Sequence, residues 1–257
     1  MNNGSSTNQC EAPKGKPDVS RACPEAQENP PRAALLRYAM QWPQGKAGTP
    51  AVLATGLRNS MALAVHPSGT LLQAENSRDA IHRAAPKLDD AKLPHDELNV
   101  IIERDRVQTK HFGWPYCYDM NATSPEYAGS AIATCKDKAA PIKLLAPHAA
   151  PLGMVYLTGK HASESVIGGG SSGNQEWLIV PYHGYRPGAQ RIVAWRVDAN
   201  GLPQGNPINI VHGWEADQQS SRPLGAPVEV AIGQKGSLWI TEDRNGTVLR
   251  LVKERGK

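Results

Sequence analysis

Short apolar runs alternate with polar, glycine- and proline-rich stretches along most of the chain. Most runs are four to seven residues long and rich in Val, Ile, Leu and Trp. Turn-forming Gly, Pro, Asn or Asp separate them, which is typical of β-strands joined by tight turns. We predict a short strand within 33–42, and further strands at Ala51–Ala54, Met61–Val65, Thr70–Ala74, Leu98–Ile102, Met154–Leu157, Trp177–Pro181, Arg191–Val197, Pro207–Val211, Val228–Ile232, Ser237–Thr241 and Thr247–Val252.

Polar segments interrupt this pattern at three places. Residues 1–32 contain five Pro and two Cys and are expected to form a polar loop segment before a single domain over 33–257. Residues 118–140 and the Gly/Ser-rich residues 160–176 are predicted to be long loops. Because no amphipathic helical pattern exceeds two turns, the predicted fold class is all-β.

Two distant segments repeat one pattern. GTLLQAENSRDAIHR at 69–83 aligns without a gap to GSLWITEDRNGTVLR at 236–250, with Glu75 opposite Glu242. The pattern predicts strand, glycine turn, strand, polar turn, strand, which is the meander of a β-propeller blade. Two unrelated hairpins of similar composition are the alternative. The offset corresponds to about four blades of roughly 40–45 residues each.

Composition and charge exclude several classes of function. Lys plus Arg is 28 and Asp plus Glu is 24, so the formal net charge is only +4. A small, scattered excess does not favour nucleic acid as a partner. No apolar run approaches 18 residues, so no membrane span is predicted. The first residues, MNNGSSTNQ, lack the apolar core of a signal peptide.

Four cysteines leave two possibilities open. None lies in a CxxC, which argues against a zinc or thioredoxin-type site. All four could be reduced, but each lies in a polar or Pro-containing stretch, so we favour local disulfides Cys10–Cys23 and Cys117–Cys135. Disulfides indicate export. Since no signal peptide is present, we expect this chain to be the later part of a longer periplasmic or secreted protein.

Six motifs follow one another between Ala33 and Leu251: GLRNSMALAVHPSGTLLQAENSRD, HDELNVI, HFGWPYC, HAAPLGMVYLTG, PYHGYRPGAQRIVAWRVDANGLP and RPLGAPVEVAIGQKGSLWITEDRNGTVLRL. In this order they resemble the glucose/sorbosone dehydrogenase family, nearest its sorbosone dehydrogenase-like branch. The resemblance implies a six-bladed β-propeller that binds pyrroloquinoline quinone (PQQ) with Ca²⁺. It also implies oxidation of a sugar or sugar aldehyde; the electron acceptor is not indicated.

The chain departs from that family at its beginning. It holds about four blades, and the family's first blades, which carry the catalytic base in a short HxGR-like motif, have no counterpart in the sequence. His183 and His148 are the candidates to replace this base, because a neutral imidazole can accept a proton near neutral pH. Without the usual base we expect the chain to be a poor catalyst by itself.

The resemblance implies that Arg58, Asn59 and Arg222 contact PQQ. A guanidinium gives paired, charge-assisted donors to carboxylate and quinone oxygens. Arg186 or Arg191 could supply the cation that relatives place after the strand ending near residue 181. The alternative for each is a turn residue or a surface ion pair.

The resemblance also suggests two calcium sites. Backbone carbonyls of the loop containing Ser77 and Arg78 align with those that hold the cofactor's Ca²⁺, and carbonyl oxygens suit a hard cation. Asp96 and Glu97 match an acidic pair that binds a structural Ca²⁺ in some relatives. A solvated acidic turn is the alternative for that pair.

Three functions therefore compete: a PQQ-dependent sugar oxidoreductase, a non-catalytic propeller fragment or binding module, and, less favoured, a calcium-dependent lactone hydrolase. The first requires distant residues to meet. It predicts that Arg58, Asn59, His148, His183 and Arg222 converge at one end of the propeller axis.

Overall fold

The structure is a computed structural model that describes residues 19–104, 106–167, 175–186, 188–215 and 223–253. No helix in this part of the chain is long and apolar enough to cross a membrane. One α-helix, α1, spans Gly159–Glu164. The described strands are β1 Ala34–Arg37, β2 Met40–Gln41, β3 Lys46–Ala47, β4 Ala51–Thr55, β5 Ser60–Val65, β6 Leu71–Glu75, β7 His95–Glu103, β8 Arg106–Val107, β9 Lys110–His111, β10 Cys117–Tyr118, β11 Ala122–Thr123, β12 Lys143–Pro147, β13 Val155–Leu157, β14 Trp177–Tyr182, β15 Arg191–Val197, β16 Pro203–Val211, β17 Pro227–Ile232, β18 Leu238–Glu242 and β19 Thr247–Leu251.

The strands confirm the prediction of an all-β chain. β7 and β16 are longer than predicted, because polar residues at their ends join the ladder through backbone hydrogen bonds that composition does not reveal. The prediction of loop over 160–176 is wrong at its start, where α1 forms, and 168–174 lie outside the described residues. The predicted boundary between 1–32 and 33–257 stays a prediction.

The chain divides into two compact units. The first comprises the described residues of Met1–Ser60, Glu75–Ile101 and Arg106–Pro147. Within it, β1 pairs antiparallel with β4, β4 pairs parallel with β9, and β12 pairs antiparallel with β7. The parallel β4–β9 pair departs from the purely antiparallel blades that the sequence predicts.

The second unit comprises the described residues of Met61–Ala74, Ile102–Asp105 and His148–Lys257. Here β13, β14, β15 and β16 form a four-stranded antiparallel sheet, and β17, β18 and β19 form a three-stranded one. Both are blade-like meanders in chain order. Their common core contains Leu157, Trp177, Ile192, Val230 and Leu238, all buried. Alternate apolar residues from both sheets fill this core, as expected for packed β-sheets.

A disulfide closes the long loop of the first unit. Cys117 and Cys135 are bonded, with Cα atoms 5.8 Å apart, which confirms the second predicted pair. Both cysteines are buried beside Tyr116 and Tyr127, so the loop has a small apolar core of its own. The Cys10–Cys23 pairing cannot be followed, because Cys10 lies outside the described residues.

The repeated segments share a buried glutamate at the end of a strand. Glu75 ends β6 and accepts the backbone N–H of Arg58 at 3.0 Å, while Glu242 ends β18 and accepts that of Ala226 at 2.8 Å. Each glutamate thereby ties the end of its strand to the loop that leads into the preceding strand. Gly69 and Gly236 both have a positive φ, as the predicted glycine turns require.

The repeat is nevertheless shorter than predicted. Segment 236–250 forms the full meander through β19, but 69–83 ends in a 3-10 turn at Ile81–Arg83. An excursion of the chain over 76–94 separates β6 from β7. The aligned letters after Glu75 therefore reflect similar composition, and the prediction of a third strand there is wrong.

Replacing both Cys117 and Cys135 with Ser should lower the free energy of unfolding by about 3 kcal/mol, because an open loop gains conformational entropy in the unfolded chain. Chemical denaturation of the variant and the parent chain measures this difference. A change within about 0.5 kcal/mol would mean that the apolar surroundings alone hold the loop.

Replacing Glu242 with Gln should lower the free energy of unfolding by about 1–3 kcal/mol at neutral pH. Burial alone would raise the pKa of Glu242, but hydrogen bonds from Ala226, Asn245 and Thr247 outweigh it and lower the pKa below its usual 4.5. The stabilisation is therefore complete above pH 4.5 and is lost as pH falls through the lowered pKa. Denaturation across that pH range should show the two proteins converging in acid. Glu103→Gln, at an exposed glutamate, is the control and should show no such convergence.

Candidate functional site

One backbone hydrogen bond recurs where the predicted site residues lie. In three places the residue that follows a strand donates its backbone N–H to a carbonyl oxygen. That carbonyl belongs to the segment that leads into the preceding strand. Loops that begin and end these antiparallel strands therefore lie together at one end of each sheet. The three contacts are Asn76 to Asn59 at 3.1 Å, His183 to Ala150 at 3.2 Å and Asp243 to Ala226 at 3.4 Å.

The second unit has a cleft where the loops of His183 and Asp243 meet, with a volume of about 430 Å³. The loop after β14 and the turn between β18 and β19 supply most of its wall. The lining residues are His183, Tyr185, Ala226, Asp243, Arg244 and Asn245. Nearly all are polar or aromatic, so the cleft can bind a polar ligand.

His183 and Asp243 form a pair in this cleft. The His183 Nε2 lies 3.1 and 3.2 Å from the two carboxylate oxygens of Asp243. A carboxylate in this position favours the tautomer that donates from Nε2, which leaves the lone pair on Nδ1. The Tyr185 ring lies edge-on at 5.9 Å from the imidazole, and Tyr185 is mostly exposed.

The backbone fixes His183 from the other side. Gly184 donates its N–H to Ala149 at 2.9 Å, and a Cβ on Gly184 would lie 1.8 Å from the carbonyl oxygen of His148. Only glycine permits so close an approach. Gln190 also donates its side-chain N–H to the Gly184 carbonyl. The structure thus places the half-buried His148 backbone beside the His183 loop.

The predicted cations of this unit have different surroundings. Arg191 donates to Glu215 at 2.7 Å and to the Ala189 carbonyl at 3.2 Å, so its guanidinium is already engaged. Arg186 is exposed in the loop after β14. Arg222 lies outside the described residues. Arg244, exposed at the cleft, makes no ion pair within the described part of the chain.

In the first unit, Arg58 is buried and holds the loop after β6. Its Nη1 donates to the carbonyl oxygens of Asn76 at 3.1 Å and Ser77 at 2.5 Å. The guanidinium also lies over the Trp114 ring, 5.7 Å from its centroid. Trp114 of the FGWP motif therefore supports Arg58, and the sequence did not indicate this contact.

The acidic pair beside this loop is buried as well. Asp96 accepts the backbone N–H of Ser77 at 2.7 Å. Burial and the nearby carboxylates of Glu75, Asp119 and Asp96 raise the pKa of Glu97 well above its usual range. The alternative of a solvated acidic turn is therefore wrong, because both side chains are almost fully buried.

The resemblance implies PQQ and Ca²⁺ as bound groups, and the polar residues of the two units differ in how well they fit each. The carboxylates and quinone oxygens of PQQ are acceptors, and the cleft offers the Arg244 guanidinium and the Tyr185 hydroxyl as donors. These residues fit PQQ. A calcium ion at the loop of Ser77 and Arg78 does not fit at the Ser77 carbonyl, since Arg58 already donates to that oxygen and to the carbonyl of Asn76. Within the described ranges, no cluster of three or more His, Cys, Asp or Glu is arranged to hold a metal.

A second cavity, of about 220 Å³, lies in the first unit between Arg32, His111 and Trp114. Arg32 pairs with Glu25 at 2.9 Å, and His111 Nδ1 accepts the N–H of Gly113. Burial lowers the pKa of His111 to about 4, so its ring is neutral. This cavity therefore lacks the available cation of the cleft.

Among the residues that line the cleft, sequence reasoning found only His183. It missed four with polar groups: Tyr185, Asp243, Arg244 and Asn245. Asp243 and Arg244 lie in a polar turn, and no local pattern separates them from the polar residues of other turns. Tyr185 is part of HGYR but carries no signal that separates it from other surface tyrosines. Whether Arg58, Asn59, His148, His183 and Arg222 converge stays a prediction.

Solved structures with a similar fold come from sugar-active proteins. The Trichoderma reesei Carbohydrate-Active Enzymes Family AA12 protein, in its iodide structure, has a TM-score of 0.61 at 20% identity over 78% of this chain and 54% of its own. The calcium structure of the Trichoderma reesei protein has a TM-score of 0.58 at 20% identity, over 78% of this chain and 53% of its own. The holo PQQ domain of Coprinopsis cinerea pyranose dehydrogenase has a TM-score of 0.62 at 18% identity, over 93% of this chain and 65% of its own.

These likenesses confirm the predicted β-propeller fold. The chain spans about half to two thirds of the length of these proteins. A search of curated proteins gave no significant match. The family model described as TrAA12-like matches residues 39–254, which is most of the sequence. The chain therefore belongs to the TrAA12-like family, in agreement with the resemblance to PQQ-dependent sugar dehydrogenases.

Proposed function

We propose that this chain is a PQQ-dependent oxidoreductase module that acts on a sugar or sugar aldehyde. The observation that carries the proposal is the His183–Asp243 pair in a cleft that also presents Arg244. The PQQ-bearing pyranose dehydrogenase domain among the similar structures supports the cofactor and the sugar substrate. The sorbosone-like substrate and the electron acceptor stay open.

In this proposal His183 is the general base. Asp243 accepts from Nε2 and holds the ring, so the Nδ1 lone pair can take the proton of a substrate hydroxyl. The resulting imidazolium is stabilised by the Asp243 carboxylate at 3.1 Å. When bound, PQQ would supply the hydride acceptor for the substrate carbon that bears this hydroxyl.

The cations of the cleft would bind and orient the cofactor. Arg244 is exposed at the cleft wall and can give two parallel hydrogen bonds to a carboxylate. Arg186 extends from the same loop as His183 and could add a second contact. The backbone contacts of Gly184 and the five hydrogen bonds to Glu242 keep both loops in place before a ligand arrives.

Export is part of the same proposal. The Cys117–Cys135 disulfide supports an oxidising compartment for this protein, because such bonds persist in secreted and periplasmic proteins. Purification from a secretory host and from a reducing cytosol should give the bonded pair only in the first.

His183→Asn should reduce kcat for dye-linked sugar oxidation by about 10²–10⁴-fold, because it removes the proton acceptor. The assay uses the purified chain with PQQ and a panel of aldoses and sorbosone. His161→Asn, on helix α1, is the matched control and should retain the parent rate. Asp243→Asn should cost less than His183→Asn, since the imidazole remains.

Turnover of His183→Asn within about tenfold of the parent rate would exclude His183 as the base. If the folded parent chain oxidises none of the sugars, a non-catalytic fragment or binding module becomes the better description. Hydrolysis of a lactone without sugar oxidation would instead favour the calcium-dependent hydrolase.

A further inference from the structure

Two successive backbone carbonyls after β6 point at one atom of Arg58. The carbonyl oxygens of Asn76 and Ser77 lie 3.1 and 2.5 Å from Nη1. Convergent main-chain carbonyls are a common way to bind a hard cation such as Ca²⁺. Here an organic cation from the chain itself occupies that position.

Arg58 is held in this position on several sides. Its backbone N–H donates to Glu75 at 3.0 Å, its guanidinium stacks over Trp114, and its Nη2 lies 3.8 Å from Asp79. The side chain is only 8% exposed. A buried guanidinium without these partners would be an uncompensated charge, which is strongly unfavourable.

The loop itself is fixed by other groups. Ser77 donates its N–H to the buried Asp96 at 2.7 Å, and the Arg78 guanidinium pairs with Glu126. The carbonyls are therefore presented to Arg58 by a backbone that is already anchored. A calcium ion bound to the same two oxygens would need about 2.3–2.6 Å to each, and would occupy the volume that Nη1 fills.

We propose that the Arg58 guanidinium is a built-in replacement for a calcium ion in the loop 75–79. The loop needs no divalent metal in the parent chain, and it becomes a calcium-binding loop when the guanidinium is removed. The inference concerns the first unit alone and does not depend on the proposed oxidoreductase function.

The test compares thermal unfolding of the full chain in calcium, in magnesium and in a calcium chelator. The parent chain should unfold at the same temperature in all three. Arg58→Met, which keeps an apolar stem but no charge, should unfold at a lower temperature in chelator and should be restabilised by calcium rather than magnesium. Arg78→Met is the matched control; it removes the pair with Glu126 and leaves Arg58 in place, so it should show no calcium dependence.

Terbium binding gives a second readout that does not need a large change in stability. Trp114 lies beside the guanidinium, so a terbium ion bound at the vacated carbonyls should emit when tryptophan is excited. Emission should rise in Arg58→Met above the parent level and fall again when Trp114 is also replaced with Phe. If Arg58→Met does not fold, Arg58→Gln replaces it in both measurements.

Stabilisation of the parent chain by calcium, lost in Arg58→Met, would overturn the inference, because Arg58 would then assist a metal. No calcium or terbium response in any folded Arg58 variant would also overturn it, because the carbonyls would then not be a cation site.

Discussion

A buried carboxylate at the end of a strand is the contact on which the loops of both repeats depend. Glu75 and Glu242 each accept a backbone N–H from the loop that leads into the neighbouring strand, at 3.0 and 2.8 Å. Backbone donors in such loops have no ladder partner and must be satisfied if they are buried. A charged acceptor does this more strongly than a neutral one, because its hydrogen bonds are charge-assisted.

The chemical role of each loop depends on the residues that follow its buried glutamate. After Glu75 come the carbonyls that Arg58 holds, and after Glu242 come Asp243 and Arg244 at the cleft. The same local scaffold therefore supports a structural cation in one unit and a candidate reactive pair in the other. Function in such a fold depends on which side chains follow the shared anchor, not on the fold itself.

The sequence predicted most of the strands because short apolar runs and the turn residues between them mark strands locally. It failed over 76–94, where aligned letters suggested a third strand, because an insertion is invisible without knowledge of the pairing partner. The Cys117–Cys135 bond was predictable from short loop closure and polar surroundings. By contrast, the stacking of Arg58 over Trp114 joins residues 56 positions apart, and no local pattern encodes it.

The candidate site was predictable at the level of motifs but not of partners. HGYR drew attention to His183, but its carboxylate comes from Asp243, sixty residues later, through the turn after β18. Such a pair forms only when two sheets of the second unit place their loops together. Residues whose role depends on this tertiary approach, above all Arg244, leave no mark in sequence spacing.

Equilibrium binding of PQQ to the purified, folded chain tests the central claim most directly. Quenching of intrinsic tryptophan fluorescence can follow the titration in the presence of a calcium chelator. The account predicts saturable binding that Arg244→Gln weakens about tenfold or more, since one charge-assisted contact is lost. Absence of saturable binding to the folded chain, or equal affinity in Arg244→Gln, would contradict it.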